Sequence, residues 1–340
     1  MTPETIWYRG HPLSVALLPL SWLYQAVVQM RRFAYRRGWR ECHRLPVPVI
    51  VVGNLTVGGT GKTPLVLWLS AFLRRQGFRP GIVIRGYGGN AVVWPLRVTR
   101  DSDPFEVGDE ALLLARRSGC PVAAGPDRVA AAQLLLREGG CDMILSDDGL
   151  QHYRLHRDLE ILVVDAQRGF GNGRCLPAGP LREPMARRRE ADLTVCNGAP
   201  CPGGQVMRLV PGRLVSLRDP AVTRELKDFN RQRVTAVAGV GNPERFFTIL
   251  RRYGLHLDER PYRDHHRFSR EDAGSWPPGP VLMTEKDAVK CERFASAEHW
   301  YLPVEAKLDA AFEQRLLDRL KGIDNGQETA GHPGVPHLQG

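Results

Sequence analysis

Val49-Ile-Val-Val-Gly-Asn-Leu-Thr-Val-Gly-Gly-Thr-Gly-Lys-Thr-Pro64 runs from an apolar, β-branched segment through a glycine-rich loop to a Lys-Thr pair, and an apolar helical pattern follows. Strand, loop and helix in that order are the setting of a phosphate-cradling loop. Gly58, Gly59 and Gly61 let successive backbone N–H groups turn inward with no Cβ in the way, which builds a concave anion nest. The helix that opens at Lys62 adds the positive end of its dipole. Lys62 is then placed to reach the β- and γ-phosphates, and the Thr63 hydroxyl to meet Mg²⁺. The strict G-x-x-x-x-G-K-[ST] pattern would put glycine at position 56, where this chain has Thr56. An ordinary glycine-rich turn of an α/β protein is the plainer alternative, but it gives Gly-Lys-Thr after a buried strand nothing to do.

Around that stretch, from Pro46 to about Val195, short apolar runs alternate with amphipathic helical patterns. Strands are expected at Val47–Val52, Gly81–Ile84, Val122–Ala124, Met143–Leu145, Leu159–Val164 and Leu193–Cys196, with helices at Pro64–Gln76, Glu110–Arg117 and Arg128–Arg137. This alternation predicts a parallel sheet covered on both faces, with ligands at the carboxyl ends of the strands. Met143-Ile-Leu-Ser-Asp147-Asp148-Gly149 is an apolar strand ending in paired acids, an arrangement that holds or orients Mg²⁺ behind a phosphate loop. Gly108-Asp109-Glu110 opens a helix with acids, which N-cap preference alone explains. Arg85-Gly-Tyr87-Gly-Gly89 and Leu176-Pro-Ala-Gly-Pro-Leu-Arg182-Glu183-Pro184 read as loops, the second rigid.

Residues 1–40 stand apart. Leu13 to Met30 carries no charge, and Arg31, Arg32, Arg36, Arg37 and Arg40 follow, interleaved with Phe33, Tyr35 and Trp39. The run is short of the ~20 apolar residues a spanning helix needs, and Pro19, Ser21 and Gln25 interrupt it. The absence of a small-residue cleavage site argues against a signal peptide. A helix lying in a membrane surface and an amphipathic helix packed on its own domain both fit the pattern. The net charge of +10 suits nucleic acid, an anionic membrane or a phosphorylated substrate without choosing among them.

At 340 residues the chain suits two domains, or one large domain with appendages. The boundaries expected are an N-terminal lipid-binding helix (1–40), a nucleotide-binding core (41–205), a linker (206–232), a smaller α/β unit (233–323) and a disordered tail (324–340). In the smaller unit, Asp264-His265-His266 has no third ligand at metal spacing and reads as a hydrogen-bonded acid–imidazole group. The seven cysteines show no metal or framework spacing, and Cys196-x₄-Cys201 is no zinc knuckle, so buried, reduced thiols are expected.

Taken together, these motifs closely resemble the tetraacyldisaccharide 4′-kinase family, the lipid A 4′-kinases. The resemblance spans residues 1–305 and rests on Val52 to Pro64, Arg85 to Gly89, Val107-Gly-Asp-Glu110, Gly125-Pro-Asp-Arg128, Asp147-Asp-Gly-Leu-Gln-His152, Leu176 to Pro184, Asp264-His-His266 and Thr284-Glu-Lys-Asp-Ala-Val-Lys290. Two positions depart from the usual pattern, Ile84 where serine is usual and Arg263 where proline is. The resemblance implies an ATP- and Mg²⁺-dependent kinase acting on the 4′-hydroxyl of a tetraacylated glucosamine disaccharide 1-phosphate. It further implies a P-loop α/β fold, peripheral attachment to the cytoplasmic face of a Gram-negative inner membrane, and neither a nucleic-acid nor an obligate protein partner. By the same resemblance Asp109 is the base and His265 its partner from the second unit. Gly58, Gly59, Thr60, Gly61 and Lys62 match the nucleotide loop, and Thr63, Asp147, Asp148 and Glu183 the phosphate and Mg²⁺ positions. Tyr87, Arg128, Gln151, His152 and Arg182 match further active-site positions.

The main rival is a P-loop GTPase or ATPase of the switch or metallochaperone type. Against it, Thr284-Glu-Lys286-Asp287 shifts the lysine of a guanine-reading motif by one place, and Val57 stands where the deviant ATPases carry lysine. A basic scaffold with a relic loop is opposed by the intact Lys62, Thr63, Asp147 and Asp148.

Overall fold

The structure, a computed structural model, describes residues 3–328. Its strands are β1 (Val49–Gly53), β2 (Pro80–Ile84), β3 (Leu96–Val98), β4 (Val122–Ala124), β5 (Met143–Asp147), β6 (Leu159–Asp165), β7 (Leu193–Asn197), β8 (Gln205–Pro211), β9 (Leu214–Ser216), β10 (Thr223–Arg224), β11 (Arg233–Ala238), β12 (His256–Pro261), β13 (Val281–Thr284), β14 (His299–Leu302) and β15 (Val304–Lys307). The first sheet has the order β15-β8-β7-β6-β1-β5-β2-β4-β3. Every neighbouring pair from β8 to β4 is parallel, and only the edge strands β15 and β3 run antiparallel. The sequence of β1 shows why. Ile50 and Val52 enter one buried cluster with Leu65, Leu69 and Phe72, while Val49 and Val51 enter another with Val129, Leu135 and Leu162. Successive side chains of a strand point to opposite faces, so a strand apolar at every position must be covered twice.

The second sheet, order β10-β9-β14-β13-β11-β12, is parallel from β14 to β12 and has its own clusters around Phe229, Phe247 and Trp300, and around Phe268 and Trp276. The expected mixed α/β architecture with large parallel sheets is what the chain adopts. Several expected boundaries shift. Residues 206–232 do not simply link: β8 extends the first sheet, and β9 and β10 edge the second. The chain then returns to the first unit. β15 pairs with β8, and the helix Ala310–Glu328 sets Phe312, Leu316 and Leu320 into the first core, Phe312 against Trp68. That i, i+4, i+8 stripe is apolar because it completes a core begun some 250 residues earlier in sequence, a pairing no local pattern reports. The helix also carries the chain through the first residues of the expected tail, and the rest of that tail lies outside the described residues. Finally, Cys196 and Cys201 are joined as a disulfide, where reduced thiols were expected.

The N-terminal segment forms helices Pro3–Tyr8, Leu13–Ala16 and Leu18–Arg36. The long helix docks through polar groups: Ser21 Oγ donates to the Cys175 carbonyl at 2.7 Å and Tyr24 Oη to that of Arg182 at 3.0 Å. Its apolar residues face outward, with Trp22 64% exposed and Trp39, just beyond the helix, 73%. Among the described residues no helix is long and apolar enough to cross a membrane.

If the C-terminal helix belongs to the first core, Phe312→Ala should cost about 3–5 kcal/mol, the usual loss for a fully buried aromatic. Urea unfolding measures it, and a loss below about 1 kcal/mol would place the helix outside that core.

Candidate active site

The loop after β1 is shaped for an anion. Gly58 and Gly61 have φ of 101° and 93°. A Cβ on Gly61 would fall 2.3 Å from Asn197 Nδ2, which itself donates to the Thr60 carbonyl at 2.9 Å. The helix Lys62–Arg75 starts with Gly61 at its N-cap and no side chain satisfying its first N–H groups, which leaves them for a ligand. Lys62 Nζ rests on Asn54 Oδ1 at 3.2 Å and near Asp148 Oδ1 at 3.5 Å. Thr56, the departure from the strict pattern, bridges Leu181, while Val57 N–H donates to Pro180 and Arg182 N–H to Leu55. A strand-like bridge to the Leu176–Pro184 loop has taken the place of a glycine turn.

Asp147 and Asp148 stand beside this loop because β5 pairs with β1, Val52 opposite Asp147. Their environments differ. Asp147 is 1% exposed and its Oδ1 has no hydrogen-bond partner. Burial, with Glu110 adding to it, pushes its carboxyl up to about 7 against the pull of Lys62. Burial would also raise Asp148, yet Lys62 and Arg182 hold it well below the usual carboxylate range, Arg182 Nη1 donating to both oxygens at 3.0 and 2.9 Å. Arg128 is buried, which lowers it to about 10, and donates to the carbonyls of Asp147 and Asp148 at 3.4 and 3.3 Å. It fixes the strand end. Gln151 does the same for Asn54, donating to its carbonyl at 3.2 Å. His152 is pushed down to about 4 by burial and Arg128 and is therefore neutral near pH 7.

The second unit closes the site from the other side. His265, in the left-handed backbone region at φ 59°, brings Nδ1 to 3.1 Å from Asp109 Oδ1. Lys286 Nζ lies 3.3 Å from His265 Nε2. An ammonium only donates, so Nε2 accepts and the ring proton sits on Nδ1, pointing at Asp109. Lys286 also reaches Glu110 at 3.1 Å and Asp264 at 3.3 Å. Asp109 is 4% exposed, and Gly108 holds the N-cap of its helix; Asp109 Oδ1 accepts from the Glu110 N–H at 2.8 Å as well as facing His265. Burial would raise it, but Lys286, His265 and Lys290 together bring it down to about 2. His266 faces elsewhere, onto Asp272 at 3.1 Å. Tyr87, mostly exposed, sets its ring edge-on to His265 at 4.6 Å.

One cavity of about 790 Å³ joins these parts. Its wall takes Lys62 and Thr63 from the loop, Tyr24 and Arg31 from the N-terminal helix, and His265 and Lys286 from the second unit. Against this geometry, a profile of the family described as tetraacyldisaccharide-1-P 4′-kinase matches residues 13–321. The chain belongs to that family. It is 53% identical over 315 residues to the tetraacyldisaccharide 4′-kinase of Nitrosococcus oceani, covering 93% of each chain. It is likewise 53% identical over 322 residues to that of Alkalilimnicola ehrlichii, covering 94% of this chain and 96% of that one. Among solved structures it is similar to the "apo" form of LpxK from Aquifex aeolicus in complex with ATP, with a TM-score of 0.74 and 30% identity over 90% of this chain and 98% of the other.

Within this member of the 4′-kinase family, the residues expected at the site line this cavity except Thr60, Asp109 and Asp147, which are buried next in sequence to residues that do. Of the expected Mg²⁺ set, Asp148 is taken by Arg182 and Lys62, and Glu183 lies buried against Arg187 at 3.4 Å and Arg32 at 3.8 Å. Among the described residues no three His, Cys, Asp or Glu converge as a metal cluster. The expected oxygens free of hydrogen bonds are Asp147 Oδ1 and both of Glu183, with Thr63 and Glu183 on the cavity wall, and hard oxygens of this kind fit an ion that keeps its remaining ligands from phosphate and water. Sequence reasoning missed Glu110 and Lys286. Both lie inside motifs that were quoted, but only the packing of two helices from different units makes them neighbours.

The strain at Gly61 is measurable. Gly61→Ala should cost about 1–2 kcal/mol for the left-handed backbone alone, and more if Asn197 is displaced from Thr60. An unchanged midpoint in urea would show that the loop relaxes freely.

Proposed function

We propose that the chain transfers the γ-phosphoryl group of ATP to the 4′-hydroxyl of a tetraacylated glucosamine disaccharide 1-phosphate, working as a peripheral protein on the cytoplasmic face of a Gram-negative inner membrane. The observation that carries this reading is the Asp109–His265 pair, joined at 3.1 Å across two units, with His265 lining the cavity that also holds the phosphate loop. A sugar hydroxyl is a poor nucleophile and needs a proton acceptor as the phosphoryl group arrives. Asp109 is the anion that takes the proton, and His265, its Nδ1–H aimed at the carboxylate, orients it. The loop N–H groups, Lys62 and Arg182 bind and neutralise the phosphates of a loose transition state. Thr63 and Asp147 would hold Mg²⁺, whose charge offsets that of the phosphates. Arg128 and Gln151 keep the strand ends in place, and the second unit over the cavity excludes water.

For the membrane, the outward apolar face of Leu18–Arg36, with Trp22, Leu23, Val27 and Met30 exposed and Arg36, Arg37 and Arg40 at its end, suits a helix lying in an anionic interface. A switch-type nucleotide hydrolase has no use for the acid–imidazole pair or for this face.

The deciding assay incubates the purified protein with labelled ATP, Mg²⁺ and detergent-dispersed disaccharide lipid, with Lys62→Ala as the inactive control; label in water-soluble phosphate alone would refute the acceptor. Asp109→Asn should lower kcat by about 10²–10⁴-fold with ATP affinity little changed. His265→Ala should also lower it, the double variant should be no worse than the poorer single one, and His266→Ala should keep kcat. Simple multiplication of the two losses would break the pair.

Removing residues 1–40 should release the protein from anionic vesicles more than it weakens ATP binding. Full sedimentation of the truncated protein with the vesicles would move the membrane contact elsewhere.

A further inference from the structure

Beyond its charge near Asp109, Lys290 has no role above, yet it is among the most buried charges of the described residues. Its side chain is 4% exposed, its Nζ lies 2.8 Å from Asp287 Oδ1 and 3.4 Å from Asp109 Oδ2, and it sits 5.1 Å from the centre of the Phe268 ring. An ammonium withdrawn from water must be matched by anions. Asp287, fully buried in the same unit, would match it alone. The contact with Asp109 reaches into the other unit and is not needed to fold the second one.

The wiring around it explains that contact. Asp287 Oδ2 accepts from Gly239 N–H at 2.9 Å and from Thr284 Oγ1 at 2.7 Å. The Gly239 carbonyl accepts from His265 N–H at 3.2 Å, which holds the left-handed turn that aims the imidazole. Ion pairs and hydrogen bonds therefore close a ring: Lys290 pairs with Asp287, Asp287 accepts from Gly239, Gly239 accepts from His265, His265 meets Asp109 Oδ1, and Asp109 Oδ2 pairs back with Lys290. The helix Glu285–Cys291 supplies both cations of this region. Lys286 and Lys290 are four residues apart, on the face turned toward the helix Asp109–Arg117, and the pairs Arg117–Glu285 and Arg116–Glu292 keep those two helices aligned.

We propose that Lys290, backed by Asp287, is a positioning residue for phosphoryl transfer: it grips the second oxygen of Asp109 and locks the same chain of bonds that aims His265, so that both members of the pair are set by one buried ion contact. The proposal rests on the reading of Asp109 and His265 as the proton acceptor. The low position of Asp109, already described, agrees with Lys286 nearby and Lys290 at its second oxygen.

The test compares Lys290→Met, which leaves Asp287 unmatched, with the double variant Lys290→Met/Asp287→Asn, which restores charge balance. Each is scored for thermal melting, kcat, and KM for ATP and lipid in the full chain. The double variant should melt near the parent yet lose kcat about 10²-fold, the scale of a 1 Å misplacement, with both KM values within about twofold. In an Asp109→Asn background the same change should cost almost nothing further, because the group it positions is gone. Parent-like kcat in the folded double variant, or a full multiplicative loss on top of Asp109→Asn, would overturn the proposal and leave Lys290 a folding residue. Should the double variant not fold, Lys290→Gln, a neutral donor of similar length, is judged by the same two outcomes. If instead Asp109→Asn alone keeps near-parent kcat, it is the proton-acceptor reading that fails.

Discussion

A carboxylate removed from water is the constraint on which the two units meet. Asp109 belongs to the first unit, but burial at its depth is tolerable only if cations and donors replace its hydration. Apart from the N–H of Glu110, those that do so, His265, Lys286 and Lys290, come from the second unit. Neither half can hold this group ionised alone. The interface is thus also the candidate site, and the helix pair that carries it is aligned by further ion pairs, Arg117–Glu285 and Arg116–Glu292.

What the sequence made legible was whatever is local. A β-branched run before Gly-Gly-Thr-Gly-Lys-Thr determines a strand, a nest and a helix within one turn of chain, and the acid pair after Met143–Ser146 needs only a strand end to be placed. Those elements stand where expected, within a residue or two. Contacts between distant segments were not legible. Phe312 completes a core begun at Ile50, and Lys290 reaches a carboxylate at position 109. Such pairings carry no period and no spacing. The Cys196–Cys201 bond was missed for a related reason, since its spacing matches no familiar framework and only the turn between β7 and β8 brings the sulfurs together. Thr56 shows the converse case, a mismatch to a motif that the backbone resolves by pairing with Leu181.

The helix Leu18–Arg36 inverts the usual arrangement of a surface helix. Its buried contacts are made by Ser21 and Tyr24, and its exposed face by Trp22, Leu23, Val27 and Met30. Exposed apolar surface of this kind is costly in water, which is the physical ground of the membrane attachment proposed above. The polar contacts are not incidental either. Tyr24 donates to the carbonyl of Arg182, whose guanidinium holds Asp148, and Arg32 joins Glu190, which neighbours Arg187 and the buried Glu183. The helix is fastened to the loop that lines the cavity.

A second junction sits at the end of β6, next to β1 in the sheet. Buried Asp165 accepts from the N–H groups of Gln167 and Arg168 with one oxygen and from Arg245 of the second unit, at 2.7 Å, with the other. The turn so fixed points Arg168 three ways: to Glu4 of the N-terminal segment at 2.6 Å, over the ring of Tyr8, and to the Gly241 carbonyl at 3.2 Å. Gly241 in turn lies so close to the phosphate loop that a Cβ there would come within 2.8 Å of Gly59 N. A glycine is required because the second unit's loop rests directly on the anion nest. The order of the sheet therefore decides more than the fold. By placing β6 beside β1, it brings the N-terminal segment, the nest and the second unit to one point, so the same parallel register that buries Val51 and Val52 also assembles the site from all three.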